Sequence, residues 1–143
     1  MNKEISNSFS KRASSYDSQS YVQNDVNKRL LDRLKIIKHD KKNILEIGSG
    51  TGCLSQNLKL KYPKINLTSI DLSHEMLLIH KRKNPRAQCV TAQAENPPFK
   101  DETFDTILSS LTFHWCDIDD LVFQKYYNLL KPSGLLLFTV AGP

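Results

Sequence analysis

Three alternating glycines, Gly48, Gly50 and Gly52, follow the short apolar segment 43–47. Glycine has no Cβ, so glycine at every second position lets the backbone pass close to a bound ligand. The dinucleotide fingerprint G-x-G-x-x-G would place its third glycine at position 53, where this chain has Cys53. The spacing therefore disfavours a pyrophosphate ligand. A plain strand-to-helix turn is the alternative, but such a turn needs fewer than three glycines.

An acidic residue, Asp71, ends the next apolar segment, about twenty residues after the glycines. A carboxylate at this place can accept hydrogen bonds from both ribose hydroxyls of an adenosine. Asp71 could instead begin a capping turn with Ser73. The loop 93–99 comes after a third apolar segment and could lie along an adenine edge. For this loop, a proline-rich surface connection is the alternative.

Short apolar segments alternate with helical patterns from Lys42 onward, which predicts the elements that position these residues. We predict strands at 43–47, 66–71, 87–92, 103–110 and 135–140, and helices that end near Tyr62, Asn84 and Leu130. The segment 131–134 is a predicted turn. Continuous apolar strands that alternate with helices are typical of an α/β fold, in which helices cover a parallel sheet.

A long helix is predicted at 18–38, where apolar residues recur at helical spacing (Val22, Val26, Leu30, Leu31, Leu34 and Ile37). The chain has 20 Lys and Arg against 15 Asp and Glu, a net charge of +5. Residues 1–42 contain ten of the basic and five of the acidic residues, so they hold the whole excess. We therefore expect a basic helical N-terminal extension over 1–41 and a ligand-binding domain over 42–143.

Composition excludes several classes of protein. With 143 residues, 39% hydrophobic and 24% charged, the chain fits one soluble domain with a core. The three cysteines are odd in number and form no C-x-x-C pair, which favours reduced thiols in the cytoplasm and no metal site. The apolar segment 135–140 is too short to span a membrane. The basic cluster 81–86 has no interleaved aromatic residues, so we expect no nucleic-acid partner.

Four segments together resemble the class I S-adenosylmethionine-dependent methyltransferases. They are ILEIGSGTG (44–52), SIDLSHEML (69–77), AENPPFKDETFD (94–105) and KPSGLLLFTV (131–140). The pattern of Phe9, Ala13 and Tyr16, the segment SSLTFHWCDIDD (109–120) and the ending FTVAGP resemble, more narrowly, the malonyl-acyl-carrier-protein O-methyltransferases of biotin synthesis. The resemblance implies a Rossmann-like sheet and S-adenosyl-L-methionine as the cofactor.

The resemblance also implies roles for single residues. The glycine segment would cradle the methionine and ribose portion, and Asp71 would hold the ribose diol. Leu72 and Met76 would pack against adenine, and Gln93 and Ala94 would face its edge. Gln93 stands where the family usually has Asp, and Ser110 and His114 stand where the malonyl enzymes more often have Asn and Gln. The implied cofactor-binding residues are Glu46, Gly48, Ser49, Gly50, Gly52, Asp71, Leu72, Met76, Gln93, Ala94 and Ser110.

Methyl transfer of this class needs no general base or metal, because a sulfonium donor is already activated and a carboxylate acceptor is already an anion. On the family pattern, Tyr16 would close over the methyl group; packing of the N-terminal segment is its alternative role. His114 and Trp115 would contact the acceptor, with a polar surface position and a core or pocket wall as their alternatives. The acceptor would be an acyl-carrier-protein thioester, malonyl-CoA or another small molecule.

The resemblance further implies a seven-stranded sheet in the order 3-2-1-4-5-7-6, of which this chain contains the first five strands. Strands six and seven would then be missing, either because the chain is a fragment of a longer enzyme or because it is a naturally shortened relative. In a shortened form, the exposed edge of strand five would need a cover such as a second subunit in a homodimer. A cofactor-binding module without catalysis is the alternative to an enzyme.

Overall fold

The computed structural model describes residues 3–12 and 20–143. Five α-helices lie in these ranges: α1 (Lys3–Arg12), α2 (Tyr21–Ile36), α3 (Cys53–Lys61), α4 (His74–Lys83) and α5 (Asp120–Leu129). A short 3₁₀ helix spans Phe113–Trp115. The five strands are β1 (Asn43–Ile47), β2 (Asn66–Asp71), β3 (Gln88–Thr91), β4 (Phe104–Ser110) and β5 (Leu130–Thr139). None of the helices in the described ranges is long and apolar enough to cross a membrane.

The strands form one sheet in the order β3-β2-β1-β4-β5, and every neighbouring pair is parallel. This confirms the predicted α/β fold, and the order matches the first five strands of the expected seven. After β3 the chain returns to the other side of β1, so β1 and β4 meet where the strand order reverses. Ligands of open α/β sheets bind beyond the carboxyl ends of the strands at such a point.

The core has two halves, one on each face of the sheet. On one face, Leu30, Leu31 and Leu34 of α2 pack with buried residues of α3 and the sheet around Ile44. On the other face, Val122, Tyr126 and Leu129 of α5 pack around Leu45 and Ile47. Ile44 and Leu45 therefore point to opposite faces, as neighbours on a strand must. This alternation places Glu46 on the same face as α2 and α3.

Four expectations about local structure were wrong. The segment 131–134 lies within β5 and is not a separate turn. The pairing of Phe104 with Leu130 is followed by Thr106 with Leu135, so this segment is a large bulge, with Ser133 at φ 64°.

Three apolar positions at helical spacing are exposed: Val22 near the start of α2, Ile37 just after its end and Leu121 near the start of α5. All three lie at the ends of their helices, and periodicity alone overestimates their burial.

The boundary predicted between residues 41 and 42 stays a prediction, although α2 packs into the same core as the sheet. In the structure β3 and β5 form the two edges of the sheet. Phe138 and Val140, at the end of β5, are partly exposed. The expected cover of this edge by a second subunit also stays a prediction.

Tyr126 of α5 fixes the loop that follows β3. Its hydroxyl donates a hydrogen bond of 2.7 Å to the carbonyl oxygen of Ala94, and its ring is fully buried. Burial raises the pKa of Tyr126 well above its ordinary value, so the hydroxyl remains a donor at every working pH. Without this donor the Ala94 carbonyl would be buried with no partner for that bond.

We expect Tyr126→Phe to lower the free energy of unfolding by about 1–2 kcal/mol, because the substitution removes one buried hydrogen bond and keeps the ring. Urea denaturation measures this change. Tyr127→Phe is the matched control, since Tyr127 is 74% exposed and its substitution should leave stability unchanged. Equal stability of the two variants would contradict the assignment.

Candidate functional site

The glycine segment forms a loop between β1 and α3, at the carboxyl end of the central strand. Gly48, Gly50 and Gly52 all have positive φ, of 69°, 54° and 87°. A Cβ on Gly48 would lie 2.1 Å from Thr112 Oγ1, and one on Gly52 would lie 2.5 Å from Asn84 Nδ2. A Cβ on Gly50 would meet no other residue within 4 Å. Gly48 and Gly52 are therefore required for packing, whereas Gly50 leaves open space next to the loop.

Asp71 connects this loop to the start of α4. Its Oδ2 accepts a hydrogen bond of 2.9 Å from the Gly50 amide, and its Oδ1 accepts one of 2.8 Å from the Ser73 amide. Burial raises the pKa of Asp71, while the amides of Ser73, Gly50 and Leu72 oppose the rise. A carboxylate has about four acceptor directions, and the three amides occupy three of them, so Asp71 keeps one for a further donor such as a ribose hydroxyl. The capping-turn alternative and the ligand role are thus compatible.

Ser73 caps α4, as expected. Its hydroxyl accepts a hydrogen bond of 3.3 Å from the Met76 amide. The same hydroxyl lies 2.7 Å from the Ser10 hydroxyl of α1. The N-terminal helix α1 therefore contacts the end of α4 that adjoins the cleft.

Glu46 lies under the glycine loop and is 2% exposed. It accepts a hydrogen bond from the Ser55 hydroxyl. Burial raises the pKa of Glu46 to about 8; the Ser55 hydrogen bond opposes the rise, and the charge of Asp71 adds to it. Near neutral pH this carboxyl group is therefore mostly protonated, and a bound cation would shift it toward the ionised form.

The glycine loop lines a narrow cleft of about 40 Å³. Five of the expected cofactor-binding residues line it: Glu46, Gly48, Ser49, Gly50 and Ser110. Its opposite wall is the first part of α2, where the lining residues are Ser20, Gln23, Asn24 and Asn27. These polar residues were not among the predicted site residues. The helix α2 lies outside the sequence motifs, and nothing in its sequence indicated that it faces the glycine loop.

The structure also shows features that fit a bound polar ligand. The Ser49 hydroxyl is buried and, within the described part of the chain, makes no hydrogen bond. A buried hydroxyl without a partner costs free energy unless a ligand or water satisfies it. Together with the open space beside Gly50, this hydroxyl fits a cofactor with polar groups at the loop.

The remaining expected cofactor-binding residues do not line the cleft: Gly52, Asp71, Leu72, Met76, Gln93 and Ala94. Met76 is buried and Leu72 half-buried at the start of α4, on the Asp71 side. Gln93 is exposed just after β3, and Ala94 beside it is buried. Tyr16 and Ala13 lie outside the described residues. The roles of all these residues stay predictions.

A second, wider cavity of about 700 Å³ adjoins the cleft, because Ser20 and Gln23 line both. Its walls come from α1, the start of α2, the segment after β4 and the end of β5. His114 and Trp115, the expected acceptor residues, line this cavity together, with their ring centroids 5.0 Å apart. Arg12 is its charged lining residue, and its other lining residues are neutral or apolar (Ile5, Ser8, Ser20, Val22, Gln23, Val26, Leu111, Val140 and Ala141).

A parallel sheet ordered 3-2-1-4-5, a glycine loop after its central strand and an acidic residue ending the next strand define the class I S-adenosylmethionine-dependent methyltransferase fold. Residues 45–138 match the family model described as a methyltransferase domain. The chain belongs to this family, and S-adenosylmethionine is the cofactor.

Individual relatives agree with this assignment. The chain is 34% identical to a malonyl-[acyl-carrier protein] O-methyltransferase of Legionella pneumophila, over 100% of this chain and 51% of the relative. It is similar to a Haemonchus contortus phosphoethanolamine N-methyltransferase 2 in complex with S-adenosyl-L-methionine, with a TM-score of 0.69 and 26% identity over 80% of this chain and 27% of that one. The chain thus spans about half the length of the curated relatives it matches.

We expect Gly50→Ala to weaken binding of S-adenosylhomocysteine at least tenfold, because its methyl group would occupy the open space beside the loop. Its stability should fall by only about 1–2 kcal/mol, the cost of a left-handed backbone in a residue with a Cβ. Isothermal titration calorimetry and urea denaturation measure the two quantities. Gly48→Ala is the contrasting variant, since its Cβ would collide with Thr112 and destabilise the fold itself. Unchanged affinity in Gly50→Ala would show that the cofactor does not approach the loop there.

Proposed function

We propose that this protein transfers a methyl group from S-adenosylmethionine to the free carboxylate of malonyl-acyl-carrier protein, or of malonyl-CoA, in biotin synthesis. The observation that carries the proposal is the similarity to malonyl-[acyl-carrier protein] O-methyltransferases over the whole of this chain. The product would be a methyl ester, in which the charge of the acyl end is removed.

The wider cavity supports an acceptor with an anionic end. A guanidinium binds a carboxylate through two parallel hydrogen bonds, and Arg12 could supply them. The imidazole of His114 offers a further polar contact, while Val22, Val26 and Trp115 offer apolar surface to an acyl chain. No acidic residue lines the cavity among the residues that the structure describes, so nothing there repels the acceptor carboxylate.

The chain's own residues would contribute orientation and exclusion of water. S-adenosylmethionine supplies a methyl group on a sulfonium, which is already activated. The glycine loop and Asp71 would hold the nucleoside end, and Glu46 would face the ammonium of the methionine end. Trp115 and the apolar wall would desolvate the acceptor carboxylate and make it a stronger nucleophile. Tyr16 would close the site over the reacting atoms, as the family pattern implies.

The test is methyl transfer from S-adenosylmethionine to malonyl-acyl-carrier protein by this protein, with binding of S-adenosylhomocysteine measured alongside. We expect Arg12→Gln to lower kcat/KM for the malonyl acceptor about tenfold or more, because one charged hydrogen-bonding partner of the carboxylate is lost. Lys11→Gln on the same helix is the matched control and should keep the wild-type rate.

Binding without transfer would instead identify a cofactor-binding module. Absence of both binding and transfer would remove the methyltransferase proposal altogether. Transfer to other small acids but not to malonyl thioesters would overturn the substrate and keep the reaction.

The basic residues of the N-terminal segment favour an acidic carrier, but the structure distributes them unevenly. Lys28 is exposed and follows Asn27, which lines the cleft, so of these basic residues it belongs to the cleft end of α2. Lys38, Lys41 and Lys42 lie at the opposite, amino end of the strands, since Asn66 at the start of β2 donates its amide to the Lys42 carbonyl. A simple count of charges suggests one basic patch at the cleft, but the excess charge does not form one.

We expect Lys28→Gln to slow methyl transfer to malonyl-acyl-carrier protein about twofold to fivefold at low salt, because electrostatic attraction speeds encounter. Lys38→Gln, at the far end of the same basic segment, should have a smaller effect. Initial rates at rising salt measure this difference, with a small malonyl thioester as the uncharged-carrier control. Equal salt dependence for both acceptors would contradict a role for the basic segment.

A further inference from the structure

Behind the glycine loop lies a line of buried polar side chains contributed by four different elements. Glu46 of β1, Ser55 of α3 and His80 of α4 are at most 2% exposed, and Cys89 of β3 is half-buried. His80 Nε2 lies 3.0 Å from Ser55 Oγ, and His80 Nδ1 lies 3.4 Å from Cys89 Sγ. Ser55 in turn donates to Glu46 Oε2. The family resemblance assigns no role to Ser55, His80 or Cys89.

The hydrogen bonds of this line run in one direction. Ser55 Oγ also lies 3.3 Å from Ser69 Oγ of β2. An ionised Glu46 can only accept, so in that state the single hydroxyl hydrogen of Ser55 goes to Glu46, and the hydrogen between His80 and Ser55 comes from Nε2. Burial lowers the pKa of His80 to about 4, so the ring is neutral near pH 7 and has only this one N–H. Nδ1 is therefore an acceptor, and the Cys89 thiol is its donor. Each donor points toward the Glu46 carboxylate.

The same helix also supports the loop above Glu46. Asn84 Nδ2 donates a hydrogen bond of 3.1 Å to the Gly52 carbonyl. A Cβ on Gly52 would lie only 2.8 Å from ring carbons of His80, so the ring packs directly against this glycine. His80 thus touches the glycine loop from below and reaches Glu46 through Ser55. One residue of α4 is therefore coupled both to the glycine loop and to the carboxyl group beneath it.

Building on the proposed cofactor site, we propose that Ser55 and His80 are positioning residues that favour the ionised form of the Glu46 carboxyl group and aim it at the ammonium group of the bound cofactor. A carboxylate that accepts a hydrogen bond is stabilised in its charged form, and a donor that is itself polarised by a second donor binds more strongly. Removal of either residue would leave Glu46 more easily protonated, and a protonated carboxyl group attracts an ammonium poorly.

Other charged and titratable groups lie around Glu46 and also influence its ionisation. On β2, the Asp71 carboxylate opposes ionisation of Glu46. On α4, Lys83 Nζ lies 3.3 Å from Cys53 Sγ and 3.5 Å from Thr51 Oγ1, so its charge is near the loop. Lys81 donates to the Ala87 carbonyl and lies nearer Cys89. On α2, the residues that line the cleft are the neutral Gln23, Asn24 and Asn27. All of these groups are unchanged in the variants below.

The test is the pH dependence of S-adenosylhomocysteine affinity, measured by titration calorimetry between pH 6 and 8.5. Burial raises the pKa of Glu46 to about 8, so binding to the unchanged protein should strengthen as pH rises and should begin to level off around pH 8. In Ser55→Ala and in His80→Leu the start of this levelling should move up by about one pH unit, and affinity at pH 7 should fall about tenfold. Between pH 8 and 8.5 those variants should still gain affinity at nearly the full rate of about tenfold per pH unit, whereas the gain of the unchanged protein should have slowed to about half of that rate or less.

Three further variants separate positioning from simple packing. His80→Gln keeps an N–H that can reach Ser55, so it should restore the wild-type pH profile. The double variant Ser55→Ala/His80→Leu should match Ser55→Ala alone, because His80 acts through Ser55. Ile44→Val removes one methyl group from the same strand as Glu46 and should lower stability without moving the pH profile. Denaturation curves of every variant accompany the binding data.

A uniform loss of affinity at every pH would overturn the proposal, as would additive effects in the double variant or a His80→Gln profile that follows His80→Leu. If His80→Leu does not fold, Ser55→Ala and His80→Gln decide the outcome. If the unchanged protein does not bind S-adenosylhomocysteine, both the proposed function and this proposal fail. If it binds and transfers methyl groups but the profiles do not move, only this proposal fails.

Discussion

The buried carboxylate of Asp71 is the interaction on which the rest of the site depends. A carboxylate that leaves water must find hydrogen-bond donors, and here the donors are the amides of Gly50 and Ser73. This requirement fixes the glycine loop that follows β1 against the first turn of α4, which follows β2. Ser73 then caps α4 and contacts Ser10 of α1. A single charge thereby orders three segments that are far apart in the chain.

The same physical constraint applies to Glu46, with a different solution. Asp71 receives its hydrogen bonds from backbone amides, which cannot be removed by substitution of a side chain. Glu46 depends on the side chains of Ser55 and, behind it, His80. Two acidic groups on neighbouring strands are therefore buried side by side, and burial raises the pKa of both. Such a pair favours a ligand that brings a positive charge next to one carboxylate and hydroxyl donors to the other.

Much of the fold was predictable because its signals are local. The limits of β1 and β2, the cap of α4 at Ser73 and the parallel sheet all follow from apolar runs, capping residues and prolines within a few positions of each other. The errors have equally local causes. The bulge at 131–134 contains Pro and Gly and so resembles a turn, yet Leu130 before it already pairs with Phe104 of β4. Val22, Ile37 and Leu121 have helical spacing but are exposed at the ends of their helices.

The sequence by itself determined the class of protein, since the glycine spacing and the acidic residue at the end of the second strand are short-range patterns. It also indicated His114 and Trp115, which the structure brings to one cavity. Only the tertiary structure decided what faces the glycine loop from α2 and what lies beneath it. Ser55, His80 and Cys89 are separated by 25 and 9 residues and look like ordinary positions of two helices and a strand. Their contacts depend on how α3 and α4 pack on the sheet, and no local sequence pattern encodes this packing.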